Sequence, residues 1–163
     1  MRLHYTIERV RFIGMPILVE YKKAGLKFER LEEFEAGIEL LGHEVKSLKN
    51  KQGSLEGSRV IVRAGEAFLV GASIPPYQAT NGNKEYDPER PRRLLLSRGQ
   101  IADLMGAESR KGLTIVPFEV YNKGKLVKIR IAIVRGKGKA DKREDLKKKD
   151  AKREAERIMK GGR

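Results

Sequence analysis

The sequence predicts a mainly β protein: a small closed barrel of about six antiparallel strands with short helices, followed by a basic C-terminal tail. Three observations favour this fold class. Segments rich in β-branched residues recur along the chain, turns containing glycine separate them, and lysine and arginine accumulate after residue 134. We divide the 163 residues into an N-terminal extension or arm (1–20), a barrel domain (21–134) and the tail (135–163).

Charge and composition limit the possible functions. A net charge of +14 and a pI near 10.1 favour a polyanionic partner, either nucleic acid or an anionic membrane surface. The sequence has no apolar run long enough to cross a bilayer, so we expect no membrane span. It has no cysteine and only two isolated histidines, His4 and His43. We therefore expect no disulfide, no metal site and no cofactor.

The first 14 residues have too few consecutive apolar side chains for a signal peptide. Two interpretations of this segment are open. It is either an extension upstream of the domain or a short added strand. The second interpretation rests on the spacing of four apolar residues, Tyr5, Ile7, Val10 and Phe12.

Residues 34–48 combine apolar and charged side chains around Gly37 and Gly42. Glycine inside a strand pattern marks a bulge, a bend or a close approach of two backbones. We therefore expect a bent strand here, with room for one helical turn within 42–51. The charged residues belong either to a solvated outer face or to a contact with a bound polymer. They are Glu35, Glu44 and Lys46.

The middle of the chain predicts a hairpin, a long connection and a helix. Residues 59–70 form the hairpin, because two β-branched strands flank Ala64 and Gly65. Residues 73–91 are a polar connection of a length that is usually functional or mobile. Ser97 is placed to cap a helix that ends at Gly106. Its predicted buried stripe is Ile101, Leu104 and Met105.

Two long strands are then predicted at 113–121 and 126–134, with a turn at 122–125. The second strand alternates throughout, so alternate side chains face opposite sides of the sheet. Lys128, Arg130 and Ala132 are predicted to form its outer row, which gives the sheet a basic outer surface.

The tail carries 13 Lys or Arg and 6 Asp or Glu, a net charge of +7 and half that of the chain. Gly136 and Gly138 predict a flexible neck. Beyond the neck, strong helix formers leave only a thin apolar stripe, so an isolated helix would be marginal in water. The tail is then either a disordered segment that adds nonspecific affinity or one that becomes helical on a partner.

Four blocks in the chain share order and spacing with a known family. They are Phe-Glu-Ala-Gly followed by Gly-x-Glu-Val-Lys-Ser-Leu (34–48), and residues 65–70, 87–96 and 136–145. These blocks resemble the SsrA-binding protein family, also called small protein B, the partner of transfer-messenger RNA. The segment starting at Met15 also resembles a family N-terminus, so residues 1–14 are expected to be dispensable.

The resemblance implies an oligonucleotide-binding-type barrel. The residues themselves predict no enzymatic site, because most carboxylates lie beside Lys or Arg on polar faces and Ser47, Ser54 and Ser58 lack a His partner. The resemblance also implies a cytoplasmic monomer that binds the tRNA-like domain of transfer-messenger RNA and delivers it, together with an elongation factor, to stalled ribosomes. The tail would become helical in the decoding centre of the small-subunit RNA and in the empty message channel. Residues carried over to this tail contact are Asp141, Lys142, Arg143, Lys152 and Arg153.

The resemblance also implies a surface on the barrel that contacts RNA. Lys128 suits a phosphate, and Leu95 suits apolar packing against a sugar or base, although a core position for Leu95 is an open alternative. Glu35 suits a donor such as an exocyclic amine or a 2′-hydroxyl. Beside these three the resemblance places Gly42, Glu44 and Lys46.

One position departs from the family pattern. Family members commonly carry His or Tyr directly before Asp-Lys-Arg, and this chain has Ala140. A ring at this position can stack on a decoding-centre base, a contact worth roughly 1–3 kcal/mol where it occurs. That stacking contact is therefore either absent here or replaced by backbone packing.

Two other functions are compatible with the composition. One is a different barrel-type RNA-binding protein of the translation apparatus, such as a ribosomal protein or an initiation factor. The other is a protein of the membrane surface, which the tail disfavours because its apolar stripe lacks Trp, Phe and Leu anchors. The RNA that co-purifies with the chain distinguishes these functions.

Overall fold

A computed structural model describes residues 15–78 and 85–161. The predicted dispensable segment 1–14, with its possible strand, and the middle of the predicted connection, 79–84, lie outside these residues. The elements are β1 (Ile17–Glu20), α1 (Ala24–Lys27), β2 (Phe28–Ile38), α2 (Gly42–Lys49), β3 (Arg59–Arg63), β4 (Glu66–Val70), β5 (Arg92–Leu95), α3 (Arg98–Glu108), β6 (Leu113–Lys123), β7 (Leu126–Gly136) and α4 (Lys139–Gly161).

The described strands form one antiparallel sheet in the order β1-β6-β7-β2-β5-β4-β3. This confirms the mainly β fold class with short helices and a C-terminal helix. The prediction of about six strands missed β1, which lies in the predicted arm and pairs with β6. Apolar side chains on the concave face, among them Ile129 and Ile131, form the core.

The predicted closure of the barrel is wrong, because β1 and β3 are the two ends of an open, curled sheet. Helix α3 packs against both β3 and β6. The Val62 N–H of β3 donates to Glu108 Oε2 of α3 at 3.2 Å, and Arg63 Nη1 donates to Glu108 Oε1 at 3.1 Å. A side chain of α3 thus satisfies the edge of β3 where a closed barrel would have a neighbouring strand.

Local sequence signals predicted several elements correctly. Ala64 and Gly65 both have positive φ (51° and 75°), as a two-residue hairpin turn of the predicted kind requires. Ser97 caps α3: its Oγ accepts from Gln100 N at 3.3 Å, and Gln100 Oε1 accepts from Ser97 N at 3.0 Å.

Two details of α3 were predicted wrongly. The helix continues past Gly106 to Glu108, and the side chain of Met105 is 52% exposed. Ala107 is buried in its place, together with Leu104. The stripe therefore continues at a spacing of three residues, which keeps both side chains on the face toward the sheet.

The base of the tail is ordered rather than flexible. β7 extends to Gly136, which pairs with Phe28, and Lys137 N then donates to Lys27 O at 2.9 Å. The tail itself is the continuous helix α4, and disorder of the free tail in solution stays a prediction. Pairs one turn apart support the helix, such as Glu144 with Lys148 at 2.8 Å.

Candidate nucleic-acid interface

One row of residues crosses four strands on the convex face of the sheet. Strand register places Leu95 of β5 opposite Gly37 of β2, Gly37 opposite Lys128 of β7, and Lys128 opposite Tyr121 of β6. Residues paired across neighbouring strands lie on the same face of a sheet. We call these four residues the convex row.

Gly37 and Leu95 form the apolar end of the convex row. A Cβ on Gly37 would lie 3.1 Å from the Cβ of Leu95, so the glycine leaves the space over which the leucine lies. Leu95 is 49% exposed, whereas its neighbour Leu94 is 2% exposed and points into the core. The alternative core position for Leu95 is thereby wrong, and the predicted close approach at Gly37 is confirmed.

Glu35 lies on the convex face, one row along from Gly37, opposite Arg130. It accepts hydrogen bonds from Lys123 Nζ at 2.7 Å and from Tyr121 Oη at 2.5 Å. These two bonds, that from Lys123 first, lower the pKa of Glu35. Burial and the same carboxylate raise the pKa of Tyr121 to about 12. The tyrosine is therefore a neutral donor at neutral pH.

Lys128 and Arg130 form the basic outer row that was predicted for β7. Arg130 pairs with Glu119 and lies over the ring of Tyr121, 5.3 Å from its centroid. The side chain of Lys128 is half-buried and forms no hydrogen bond or close ion pair within the described ranges, although its charge helps to lower the pKa of Glu35. Ala132, the third predicted member, is fully buried. The structure thus brings Glu35, Leu95 and Lys128 together on one surface.

Glu44 is not on that surface, because its side chain is completely buried. Its oxygens accept from Leu41 N (2.7 Å), Tyr86 Oη (2.9 Å), Arg90 Nη2 (2.6 Å) and Arg92 Nε (3.0 Å). Burial acts to raise the pKa of Glu44, but hydrogen bonds, chiefly from Arg90, outweigh it and lower the pKa to about 2. The predicted RNA-contacting role of Glu44 is therefore wrong. It is the centre of a buried ionic network.

The network attaches the ends of the long connection to α2. Arg92 is fully buried and donates to Ala72 O (2.9 Å), Pro88 O (2.9 Å) and Tyr86 Oη (3.2 Å), in addition to Glu44. Sequence reasoning missed Tyr86, Arg90 and Arg92. The density of arginine and proline in 86–92 was the available signal, but their partners are more than 40 residues away in the chain.

The two remaining predicted barrel residues lie on α2. Gly42 is exposed at the first residue of the helix, and a Cβ there would meet nothing within 4 Å. Lys46 is exposed, with its Nζ 5.9 Å from the ring centroid of Tyr77. Because α2 packs against β1, neither residue belongs to the convex row.

The five predicted tail residues are all exposed on α4 but do not share one face. Lys142 and Arg153 are 11 residues apart, about three turns, and therefore lie on the same side. Asp141 and Lys152 have the same spacing and lie on a different side. Asp141 Oδ2 accepts from Gly138 N at 3.3 Å, so this carboxylate caps the start of the helix.

A family model described as the SmpB protein matches residues 18–161. The chain belongs to the SmpB family. An SsrA-binding protein of Microcystis aeruginosa is 44% identical over 144 residues, 88% of this chain and 94% of that protein. The SsrA-binding protein of Thermosipho melanesiensis is 45% identical over 150 residues, 90% of this chain and all of that protein.

A solved structure with the description "tmRNA-SmpB: a journey to the center of the bacterial ribosome" contains a similar chain. The two chains share 36% identity with a TM-score of 0.62, covering 78% of this chain and 92% of that one. The residues matched by the family model include the sheet that carries the convex row. Among the described helices, none is long and apolar enough to cross a membrane.

Proposed function

We propose that this chain binds the tRNA-like domain of transfer-messenger RNA and delivers it to stalled ribosomes for trans-translation. The observation that carries the proposal is the convex row, which joins the half-exposed Leu95 to the half-buried Lys128 across the sheet in a member of the SmpB family. The similar proteins described as SsrA-binding, and the similar chain described with tmRNA and the ribosome, support the choice of RNA.

The convex row has the chemistry that a folded RNA requires. Folded RNA is recognised largely by shape and by its phosphates and 2′-hydroxyls. Lys128 supplies a cation without a hydrogen-bonded partner in the described structure, which suits a phosphate oxygen. Leu95 is half-exposed and lies over Gly37, so it supplies an apolar surface against which a sugar or base can pack.

We infer that Glu35 acts through its neighbours instead of forming the direct RNA contact that the resemblance implied. Its two oxygens already accept from Tyr121 and Lys123. The bond at 2.7 Å holds the ammonium group of Lys123, which is 43% exposed, at the end of the β6–β7 hairpin. Lys123 is therefore a second proposed phosphate contact, and Glu35 is the residue that positions it.

The tail supports the second half of the proposal. One face of α4 carries the cations Lys142, Lys149, Arg153 and Lys160, at spacings of seven, four and seven residues that keep them on one side of a helix. Such a stripe suits the phosphates of an RNA channel. We propose that it occupies the decoding centre and the empty message channel of the small subunit.

We further propose that the chain acts as a cytoplasmic monomer, delivers its RNA together with an elongation factor, and catalyses no reaction itself. The family resemblance supports each of these points.

The test is the affinity for the isolated tRNA-like RNA, measured as a function of salt concentration. Lys128→Ala should weaken binding and reduce the salt slope by about one unit, because one phosphate contact is lost. Leu95→Ala should weaken binding about tenfold without changing the slope, since only apolar contact is lost. Met105→Ala is the matched control, because it removes an equally exposed apolar side chain from α3. Equal losses of affinity in Leu95→Ala and Met105→Ala would contradict the proposed surface. If the parent protein bound ribosomal RNA fragments as tightly as the tRNA-like RNA, a general RNA-binding protein would be favoured.

The same assay tests the role of Glu35. Glu35→Ala should weaken binding, and it should have little further effect in the Lys123→Met background, because both changes act on one contact. Additive losses would show that Glu35 contacts the RNA independently, and tighter binding by Glu35→Ala would show that it is not part of the interface.

A further inference from the structure

We propose that Ile17 is a further RNA-contacting residue, which makes apolar contact with a second segment of the folded tRNA-like domain. Ile17 of β1 pairs with Tyr121, the residue that ends the convex row on β6. The same outward face therefore continues onto a fifth strand. The side chain of Ile17 is 44% exposed, close to the 49% of Leu95 at the opposite end. This inference rests on the proposed function and extends its surface to the edge of the sheet.

A β-bulge turns Ile17 outward. The register of β1 against β6 shifts between Ile17 and Val19, so Leu18 is an extra residue in β1. Without this shift, the alternation from Val19 would place Leu18 opposite Tyr121 and would turn Ile17 toward the core. Instead, Leu18 is buried and Ile17 is exposed. The bulge therefore exchanges the environments of two apolar side chains, and bulges that redirect a side chain in this way are common beside functional sites.

The backbone around Ile17 is held in place by hydrogen bonds to β6. Asn122 N donates to Pro16 O at 3.1 Å, directly before Ile17, and Tyr21 N donates to Phe118 O at 2.8 Å, directly after β1. A side chain on a paired strand keeps its direction better than one on a loop. A β-branched side chain also has little rotamer freedom to lose on binding. Ile17 is therefore a preorganised apolar contact.

Charges beside the convex row direct a bound RNA toward β1. The next row along the strands contains three carboxylates and one guanidinium, those of Glu35, Arg130, Glu119 and Glu20. Because this row carries a net negative charge, it is unfavourable for RNA phosphates. An RNA on the convex row is therefore expected to run across the strands and not along one of them. That direction brings it to Ile17.

The separation of the two apolar ends decides which RNA can contact both. Leu95 on β5 and Ile17 on β1 are four strand spacings apart, about 19 Å at about 4.8 Å per spacing. Two adjacent nucleotides do not span this distance, so the two side chains contact separate segments of the RNA. A folded RNA holds two segments at a fixed separation, and an unstructured RNA does not. Ile17 and Leu95 together thus select a folded RNA by its shape.

Photo-crosslinking in the full-length protein tests the contact directly. The chain has no cysteine, so Ile17→Cys and Leu95→Cys can each carry a unique crosslinking label, and the two labels should react with different segments of the tRNA-like RNA. Leu31→Cys is the matched control. Leu31 is also apolar, 38% exposed and at a bulge, but it lines a groove against α3. Crosslinking by Ile17→Cys that is no stronger than that of the control, or that reaches the same segment as Leu95→Cys, would overturn the proposal.

Affinity measurements test what the contact contributes. Ile17→Ala should weaken binding of the tRNA-like RNA about fivefold without changing the salt slope, because an apolar contact is lost and no phosphate contact is. Ile17→Val, which stays β-branched, should retain most of the affinity. In the double variant with Leu95→Ala the two losses should add, since the residues are far apart and contact different segments. Binding of an unstructured RNA of the same length should not change.

Three affinity results would contradict the inference. They are unchanged affinity in Ile17→Ala, an equal loss for folded and unstructured RNA, and a loss that appears only together with a lowered Tm, which would mean that Ile17 acts through the stability of β1. If Lys128→Ala and Leu95→Ala still weaken binding in these cases, the proposed function stands without Ile17. Failure of the parent protein to bind the tRNA-like RNA would refute both.

Discussion

The carboxylate of Glu44 shows how a single buried charge can organise distant parts of a chain. It accepts from the backbone of Leu41 and from the side chains of Tyr86, Arg90 and Arg92. A buried charge without such partners would be strongly unfavourable, so the acid and its arginines depend on each other. The network links α2 to β5 and to both described ends of the long connection.

Replacing Glu44 with glutamine should lower the free energy of unfolding by about 3–5 kcal/mol at neutral pH, because Arg92 loses its buried counter-charge. Glu39→Gln is the matched control: its pair with Arg93 at 3.3 Å is half-exposed, so the cost should be below about 1 kcal/mol. Urea unfolding measures both changes. Equal costs would show that the buried network does not stabilise the fold.

The same network predicts a pH dependence. The pKa of Glu44 is lowered from 4.5 to about 2 by folding, so its contribution is complete above pH 4.5 and is lost as the pH falls toward 2. The shift corresponds to about 3 kcal/mol. Unfolding titrations between pH 5 and pH 2 should therefore show a steeper loss of stability for the parent than for Glu44→Gln, and parallel curves would contradict the assignment.

At the scale of single residues, the sequence predicted whether a side chain is exposed where its position in an alternating strand alone determines this. Lys128 lies in an uninterrupted alternating strand, so its outward direction was predictable. Leu95 lies among three consecutive leucines, and only the pairing of β5 with Gly37 decides which of them faces outward. Glu44 was misjudged because a glutamate two residues from both a glycine and a lysine suggests exposure, and nothing local indicates arginines 46 and 48 residues away.

At the scale of elements, the hairpins and the capped helix were predictable because their signals are local. The boundary between body and tail was not. The change in composition suggested an end of β7 near residue 134, but the ladder continues through Arg135 and Gly136, and Lys137 adds a further bond to α1. Charged residues at the end of a strand conceal this pairing, because one face of an antiparallel pair can be fully solvated.

Truncation should reveal the true boundary. A chain ending at Gly138 should fold and bind transfer-messenger RNA with parental affinity but fail to support tagging, because α4 is absent. A chain ending at Val134 should be about 2 kcal/mol less stable, since it lacks the last ladder bonds to β2. Thermal unfolding and RNA titration compare the two chains directly. Loss of RNA binding in the longer chain would show that α4 belongs to the barrel's interface.

At the scale of the whole molecule, the sheet is curled enough for β3 to lie near β6 but not enough for the two to pair. The sequence predicted the curl through its short strands and glycine turns. The sequence could not predict the gap between β3 and β6, because closure of the sheet depends on how far α3 separates these two strands, which are distant in the chain. The position of the convex row depends on the same global geometry, since it needs four strands in register.

The contact between Glu108 and Val62 has a consequence for self-association. An unpaired strand edge is a template for the same strand of another copy, and two β3 edges could pair antiparallel around a twofold axis. Glu108→Ala should therefore produce dimers whose population rises with protein concentration in sedimentation experiments. Glu66→Ala, which removes an acid from the neighbouring strand without touching that edge, should leave the sedimentation of the parent unchanged. The carboxylate of Glu108 occupies the hydrogen-bonding position that an incoming strand would need.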